Sequence, residues 1–223
     1  MERNLGREAQ LKEKENYQQA VRSFVVSLAS PEEIYKSLIE GDKFYCLRFY
    51  VCKKGDEEEG YRYTLLGGKI SRDENFSEAA QREIGEESGL RFLGIPRQTI
   101  IGQWSYYCEK SGLRKVVLTY NPVLPEITPI RGNGIAEIVS LTIDQLEELI
   151  KEGTLNGIPI EGHLTIAKTD DIEISEADEK IKNQSLKRAI RFMSDIEEIL
   201  RENLKSLKTR DIPLFNQFAT LTT

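Results

Sequence analysis

Glu83, Glu86 and Glu87 stand at i, i+3 and i+4, which puts three carboxylates on one face of a helix. Like charges so close repel one another and destabilise that helix unless a cation sits among them. With no His or Cys nearby the donors are all hard oxygens, suited to Mg²⁺ first and to Mn²⁺ as its substitute. An ion held there could act as a Lewis acid and activate water. For an isolated pair of glutamates the plainer reading is a solvated helix face, so the residues around the cluster have to decide.

The elements that position the cluster can be read from the run that holds it, residues 67–90. Ser77 is expected to cap the helix, its hydroxyl accepting from a free amide one turn on. Gly89 is expected to end it in the left-handed conformation. Arg82 is expected to point off the acidic face. Upstream, residues 43–53 form an aromatic strand, 55–60 a hairpin loop, and 61–66 a returning strand that delivers the chain into Gly67-Gly68. Residues 20–28 are rich in β-branched side chains and read as a strand, and Ser30-Pro31-Glu32-Glu33 opens a short helix.

Downstream, residues 98–108 and 114–122 form a second hairpin, and 136–141 a short strand. Thr142 with Gln145 makes a capping-box pattern for a helix that Gly153 closes, with Leu146, Leu149 and Ile150 as its buried stripe. Strands with one helix in the middle and one at the end imply an α/β sandwich, two helices flanking a mixed sheet. Residues 154–169 read as a loop. Residues 174–207 read as one long helix, with an interruption entertained near Asn183. Leu186, Met193, Leu200 and Leu207 recur every seven residues, with Ala189, Ile190, Ile196 and Leu204 filling the stripe. That stripe is either cover for its own domain or an interhelical seam that makes a homodimer. Residues 215–221 are either a tail that docks on a neighbour or a frayed end.

A chain of 223 residues can build one sizeable domain with an extension, or two small domains. A net charge of -6 argues against a broad nucleic-acid surface and against anionic membranes. Cys46, Cys52 and Cys108 lack metal-ligand spacing and read as reduced thiols. The first residues carry no apolar signal segment, and no apolar run approaches a membrane span. A soluble, cytoplasmic protein is expected.

The run from Gly68 to Leu90 resembles the Nudix box, G-x5-E-x7-R-E-U-x-E-E-x-G-U with U a bulky aliphatic residue. Gly68, Glu74, Arg82, Glu83, Ile84, Glu86, Glu87, Gly89 and Leu90 fill every defined position. Seven fixed positions match by chance on the order of 10⁻⁸ per start point, which decides against the merely solvated face. The order of strands and helices over about residues 20–153 also resembles the family's fold, an α/β/α sandwich with a mixed sheet; residues 20–169 are expected to form that domain, after a polar lead-in at 1–19 and before a helical extension at 170–223. It implies a Mg²⁺-dependent pyrophosphohydrolase acting on a nucleoside diphosphate linked to another moiety, such as a dinucleoside polyphosphate or a nucleotide sugar. A hydrolase that sanitises nucleoside triphosphates is the second reading. A nucleotide-sensing or scaffolding module is the third, disfavoured because a binder has no need of three crowded carboxylates.

By the same resemblance Glu83, Glu86, Glu87 and the backbone carbonyl of Gly67 hold metal, and Arg82 orients Glu74 or Glu86. The general base is either Glu83 or a later glutamate, for which Glu137 in Ala136-Glu-Ile-Val-Ser-Leu141 is the candidate; its plain reading is a surface strand residue. His163, the only histidine, is given a structural role ahead of a catalytic one. The motifs of the coenzyme A and NADH subgroups are absent, and Trp104-Ser105-Tyr106 stands where ADP-ribose enzymes carry a proline. Tyr107 falls where dinucleoside polyphosphate enzymes carry a tyrosine. One of Tyr106 and Tyr107 must face inward, and Tyr107 and Trp104, with Phe49 and Tyr45 behind them, are the candidate base-stacking rings; core packing is the plainer reading. Family homodimers favour the seam reading of the long helix.

Overall fold

β1 (Gln18–Leu28), β2 (Leu47–Asp56), β3 (Gly60–Leu65), β4 (Thr99–Cys108), β5 (Gly112–Pro122) and β6 (Glu137–Leu141) make one mixed sheet. The computed structural model describes residues 18–30, 32–34, 43–90, 99–109, 111–123 and 135–206. The strand order is β3-β2-β1-β5-β4, with β6 also paired to β2. β1 runs parallel to β5, from Gln18 beside Arg114 to Val26 beside Pro122, and the other pairs are antiparallel.

The apolar run of β1 has its reason in this position. Phe24 and Val26 enter the core on one side of the sheet, Val21 and Val25 the core on the other. A strand covered on both faces has to be apolar on both. α1 (Phe76–Ser88) covers one face with Ala79, Ala80 and Ile84. α2 (Ile143–Glu152) and α3 (Glu176–Ser206) cover the other. The predicted α/β/α sandwich with a mixed sheet and a long C-terminal helix is what the chain forms.

Three local expectations need correction. α1 is capped by Asn75 rather than Ser77: the Asn75 side chain accepts from the amides of Ser77 and Glu78, and the Glu78 carboxylate accepts from the Asn75 amide. Ser77 lies inside the first turn, too late to reach back, whereas Asn75 with Glu78 completes a capping box. β2 starts later than expected and runs on to Asp56, because the Asp56 carboxylate accepts from the amides of Glu58 and Glu59 and tightens the turn. The stretch read as a loop after Gly153 holds a small hairpin, β7 (Thr154–Leu155) and β8 (Ile158–Pro159). It turns on Asn156-Gly157, both at positive φ, an Asn-Gly signal legible in the sequence. The ends of α1 at Gly89 and of α2 at Thr142 and Gly153 lie where the sequence put them.

α3 runs unbroken through Asn183. Leu186, Ala189, Ile190, Met193, Leu200 and Leu204 are buried in the same core as Phe24 and Trp104, so the heptad stripe is spent within the chain. Over a few turns a seven-residue repeat and an ordinary amphipathic period place nearly the same residues on one face, which is why the sequence left both readings open. The helix sits so close to β4 that a Cβ added to Gly102 would stand 2.0 Å from Ser185 Oγ. Leu207, residues 1–17 and the tail expected at 215–221 lie outside the described residues. The three cysteines are free, and no helix among the described residues is long and apolar enough to cross a membrane.

Candidate active site

β3 feeds directly into Gly67-Gly68, and this turn is where sheet and α1 meet. Gly67 has φ +135°, and a Cβ there would stand 2.3 Å from the Val21 carbonyl oxygen. Its amide donates to Glu87 Oε2 at 2.8 Å, and its carbonyl accepts from Arg22 Nη1 at 2.7 Å. A Cβ on Gly68 would lie 2.3 Å from the carboxyl carbon of Glu83, so that carboxylate rests against the turn. Two glycines are required here because carboxylates and main chain take up the room a side chain would need.

Arg82 does not point off the acidic face. Its Nε and Nη2 donate to the two oxygens of Glu74 at 2.8 and 3.0 Å, and Nη1 donates to Glu83 at 2.8 Å and Glu86 at 3.2 Å. Nη2 also donates to the Lys69 carbonyl. A planar guanidinium with five donors can satisfy carboxylates on two sides at once, which turns the side chain back over the cluster. The Arg82 fork holds the Glu74 carboxyl down at about 2, helped by the Ser71 amide. Glu86 is exposed, while Glu87 is nearly buried and accepts from Lys54 Nζ at 2.8 Å, with the Cys52 thiol 3.7 Å away.

Among the described residues no three His, Cys, Asp or Glu side chains stand close enough together to hold an ion. Each of the three carboxylates bonds a basic neighbour, Glu83 and Glu86 to Arg82 and Glu87 to Lys54. Their chemistry still fits a hard divalent ion: carboxylate and carbonyl oxygens only, with Glu83 and Glu87 both seated at the Gly67-Gly68 turn.

A family model described as NUDIX domain matches residues 38–159, more than half of the chain. The chain belongs to the Nudix family. Membership makes it a pyrophosphohydrolase of the kind that acts on nucleoside diphosphate derivatives with a divalent ion. Solved structures that it is similar to include the MutT protein from Methanosarcina mazei Go1, at 16% identity over 64% of this chain and 85% of that one, TM-score 0.42. A MutT/nudix family protein from Enterococcus faecalis follows at 12% identity over 78% and 62%, TM-score 0.48. The E. coli ORF135 protein matches at 12% identity over 88% and 96%, TM-score 0.43. Likenesses this distant add no argument of their own. No curated protein matches the sequence.

Around the Nudix turn, several expected site residues lie elsewhere. Trp104 is 1% exposed in the core beneath α3, so it cannot stack on a ligand, and Phe49 is equally buried. Strand alternation puts Tyr106 on that inner face and Tyr107 on the outer one, 43% exposed, its backbone bonded to Glu173 in both directions. Tyr45 donates its hydroxyl to Asp144 at 2.6 Å. Glu137 is exposed on β6 with Lys53 at 3.9 Å.

Three residues beside the Nudix turn escaped the sequence reading: Arg22, Lys54 and Glu161. Glu161 accepts from Thr64 Oγ1 at 2.8 Å and faces Arg22 Nη2 at 3.5 Å and His163 Nε2 at 3.4 Å. Burial alone would raise the Glu161 carboxyl, but Arg22, His163 and Thr64 outweigh it and hold it at about 2. The signal for Arg22 was a charged residue inside an otherwise apolar central strand. Lys54 and Glu161 left none, since their partners are distant in sequence.

His163 is buried, stacked on Tyr106 with ring centroids 4.4 Å apart, and burial pushes its imidazole down to about 4 against the pull of Glu161. The sign follows. Between the ordinary value and about 4 the unfolded chain holds a proton that the folded one refuses, so stability falls as the pH drops through this window. The full loss is on the order of 3 kcal/mol. Glu74 and Glu161, with lowered values, lose their contributions only below the ordinary carboxylate value of 4.5. A series of melting curves from pH 7 to 5 therefore isolates the histidine: wild type loses stability over that range, and His163→Phe, which keeps a stacking ring, stays flat.

Proposed function

We propose that this Nudix enzyme hydrolyses the pyrophosphate bond of a nucleoside diphosphate linked to another moiety, with Mg²⁺ held by Glu83, Glu86, Glu87 and the Gly67 carbonyl. The observation that carries the reading is the seating of Glu83 and Glu87 on one glycine turn, Glu87 on the Gly67 amide and Glu83 against Gly68. The ion supplies charge neutralisation for the phosphate oxygens and a lowered pKa for bound water. The chain's own part is to fix the donors. Arg82 ties Glu83 and Glu86 to the Glu74 loop, and the Gly67 amide sets the plane of Glu87.

Of the two base candidates Glu83 is preferred, because its carboxylate rests against the turn while Glu137 lies exposed on an edge strand. Tyr107, with its ring in solvent, is the aromatic left to meet a nucleobase. Dinucleoside polyphosphates and nucleotide sugars are the proposed substrates, and nucleoside triphosphates the second class. Residues 20–169 are taken as the catalytic unit and 170–223 as its helical extension. We place the enzyme in the cytoplasm, in keeping with its free cysteines. A homodimer would need a surface other than the buried stripe of α3, and sedimentation of the full chain counts the copies.

The test is a panel of these nucleotides with Mg²⁺ or Mn²⁺, run on wild type, Glu86→Gln and Glu87→Gln. Glu86 is exposed and bonded to Arg82, so its amide variant should fold normally. Turnover of one panel member should fall by on the order of 10²-fold or more in each variant, the size expected when an ion loses a ligand. Tight binding of a nucleotide by the wild type with no member cleaved would replace the enzyme reading with the sensor.

A further inference from the structure

Each of the four groups assigned to the ion is bonded to a basic side chain. Arg82 Nη1 donates to Glu83 and Glu86, Arg22 Nη1 to the Gly67 carbonyl, and Lys54 Nζ to Glu87. The three cations are not equivalent. Arg82 is fixed by both oxygens of Glu74 and by the Lys69 carbonyl, and Arg22 also faces Glu161. Lys54 reaches in from β2, a different element from the turn and α1. Its hydrogen bond goes to Glu87, and its side chain is 30% exposed.

The oxygens of Glu87 divide their work. Oε2 takes the Gly67 amide, with the Cys52 thiol beyond it, while Oε1 takes Lys54. The oxygen left for an ion is therefore the one that the ammonium covers. A double charge within a few ångströms of an ammonium repels it more strongly than one carboxylate attracts it. The four-carbon stem of lysine can swing that charge into water, where it is well solvated. Oε2 stays on the turn throughout, so Glu87 keeps its orientation when Lys54 leaves.

We propose that Lys54 is an exchangeable resident cation of the Nudix turn. It neutralises Glu87 until a divalent ion arrives, is expelled by that ion, and so sets the ion concentration at which the site fills. The inference rests on the metal reading above, and the measurement separates the two. Free Mn²⁺ is followed by its electron paramagnetic resonance signal during titration into the full-length protein at low salt, with no nucleotide and no turnover. Lys54→Met should bind Mn²⁺ tighter by on the order of tenfold, as expected for removing one charge from a half-buried site. Lys54→Arg, which keeps the charge and adds a second donor, should bind no tighter than wild type. Lys54→Gln is read like the methionine variant should the latter melt early. Neutral variants that fold and bind Mn²⁺ equally or more weakly overturn the exchange while leaving the metal reading intact, as does an arginine variant that binds tighter. A wild type that takes up no Mn²⁺ sinks both.

Discussion

Gly67→Ala is expected to abolish measurable turnover and to destabilise the fold by roughly 2–4 kcal/mol, although it adds a single methyl group. The backbone there has φ +135°, outside the range an L side chain adopts comfortably, and the new Cβ would stand 2.3 Å from the Val21 carbonyl oxygen. That neighbour is main chain of β1, which is paired to β5 along its length and cannot step aside. Relief therefore has to come from the turn, and the turn carries both functional bonds, its amide to Glu87 and its carbonyl to Arg22. A shift of about 1 Å there costs on the order of 10²-fold in rate through misplacement alone. Chemical denaturation with a parallel activity assay checks both parts. Activity persisting at half the wild-type rate would mean the turn does not position the reaction. Gly60, also at positive φ but with open space around it, is the control: Gly60→Ala should lose about 1–2 kcal/mol from the left-handed backbone alone and keep its turnover.

The second large effect belongs far from the chemistry. Glu197 of α3 is 1% exposed, and its two oxygens accept from the amides of Cys46 and Leu47 at 2.8 Å each, with Arg201 at 3.3 Å. Those amides open β2, the strand that pairs with β1, β3 and β6. Glu197→Ala would leave two buried donors without acceptors and Arg201 without its partner, a loss of about 3–5 kcal/mol. Glu197→Gln keeps one carbonyl acceptor and should recover part of that. Urea midpoints of the two variants against wild type give the answer, and an alanine variant within about 1 kcal/mol of wild type would show that water serves those amides as well.

How far the sequence could be read depended on the range of the interaction. The cap of α2 by Thr142 and Gln145 and the stops at Gly89 and Gly153 are contacts within a few residues, so residue type and order contain them. Asn75 and the Asn156-Gly157 hairpin are equally local, so residue type and order contain them as well. Strand alternation gave one inward tyrosine, but which one depends on register, and register is set by the partner strand. Trp104 looked like a ligand platform only because nothing local records that α3 lies over β4.

The sequence alone determined the acid cluster, the glycines beside it and the strand and helix order that presents them, since spacing along one chain sets which face a helical side chain occupies. Tertiary structure alone decided what each carboxylate touches. Arg22 reaches the Nudix turn and Lys54 reaches Glu87 from strands distant in the chain, Glu161 faces Arg22 beside them, and Glu197 holds β2 across 150 residues. Electrostatic partners are chosen by distance in space, and the folded chain supplies those distances.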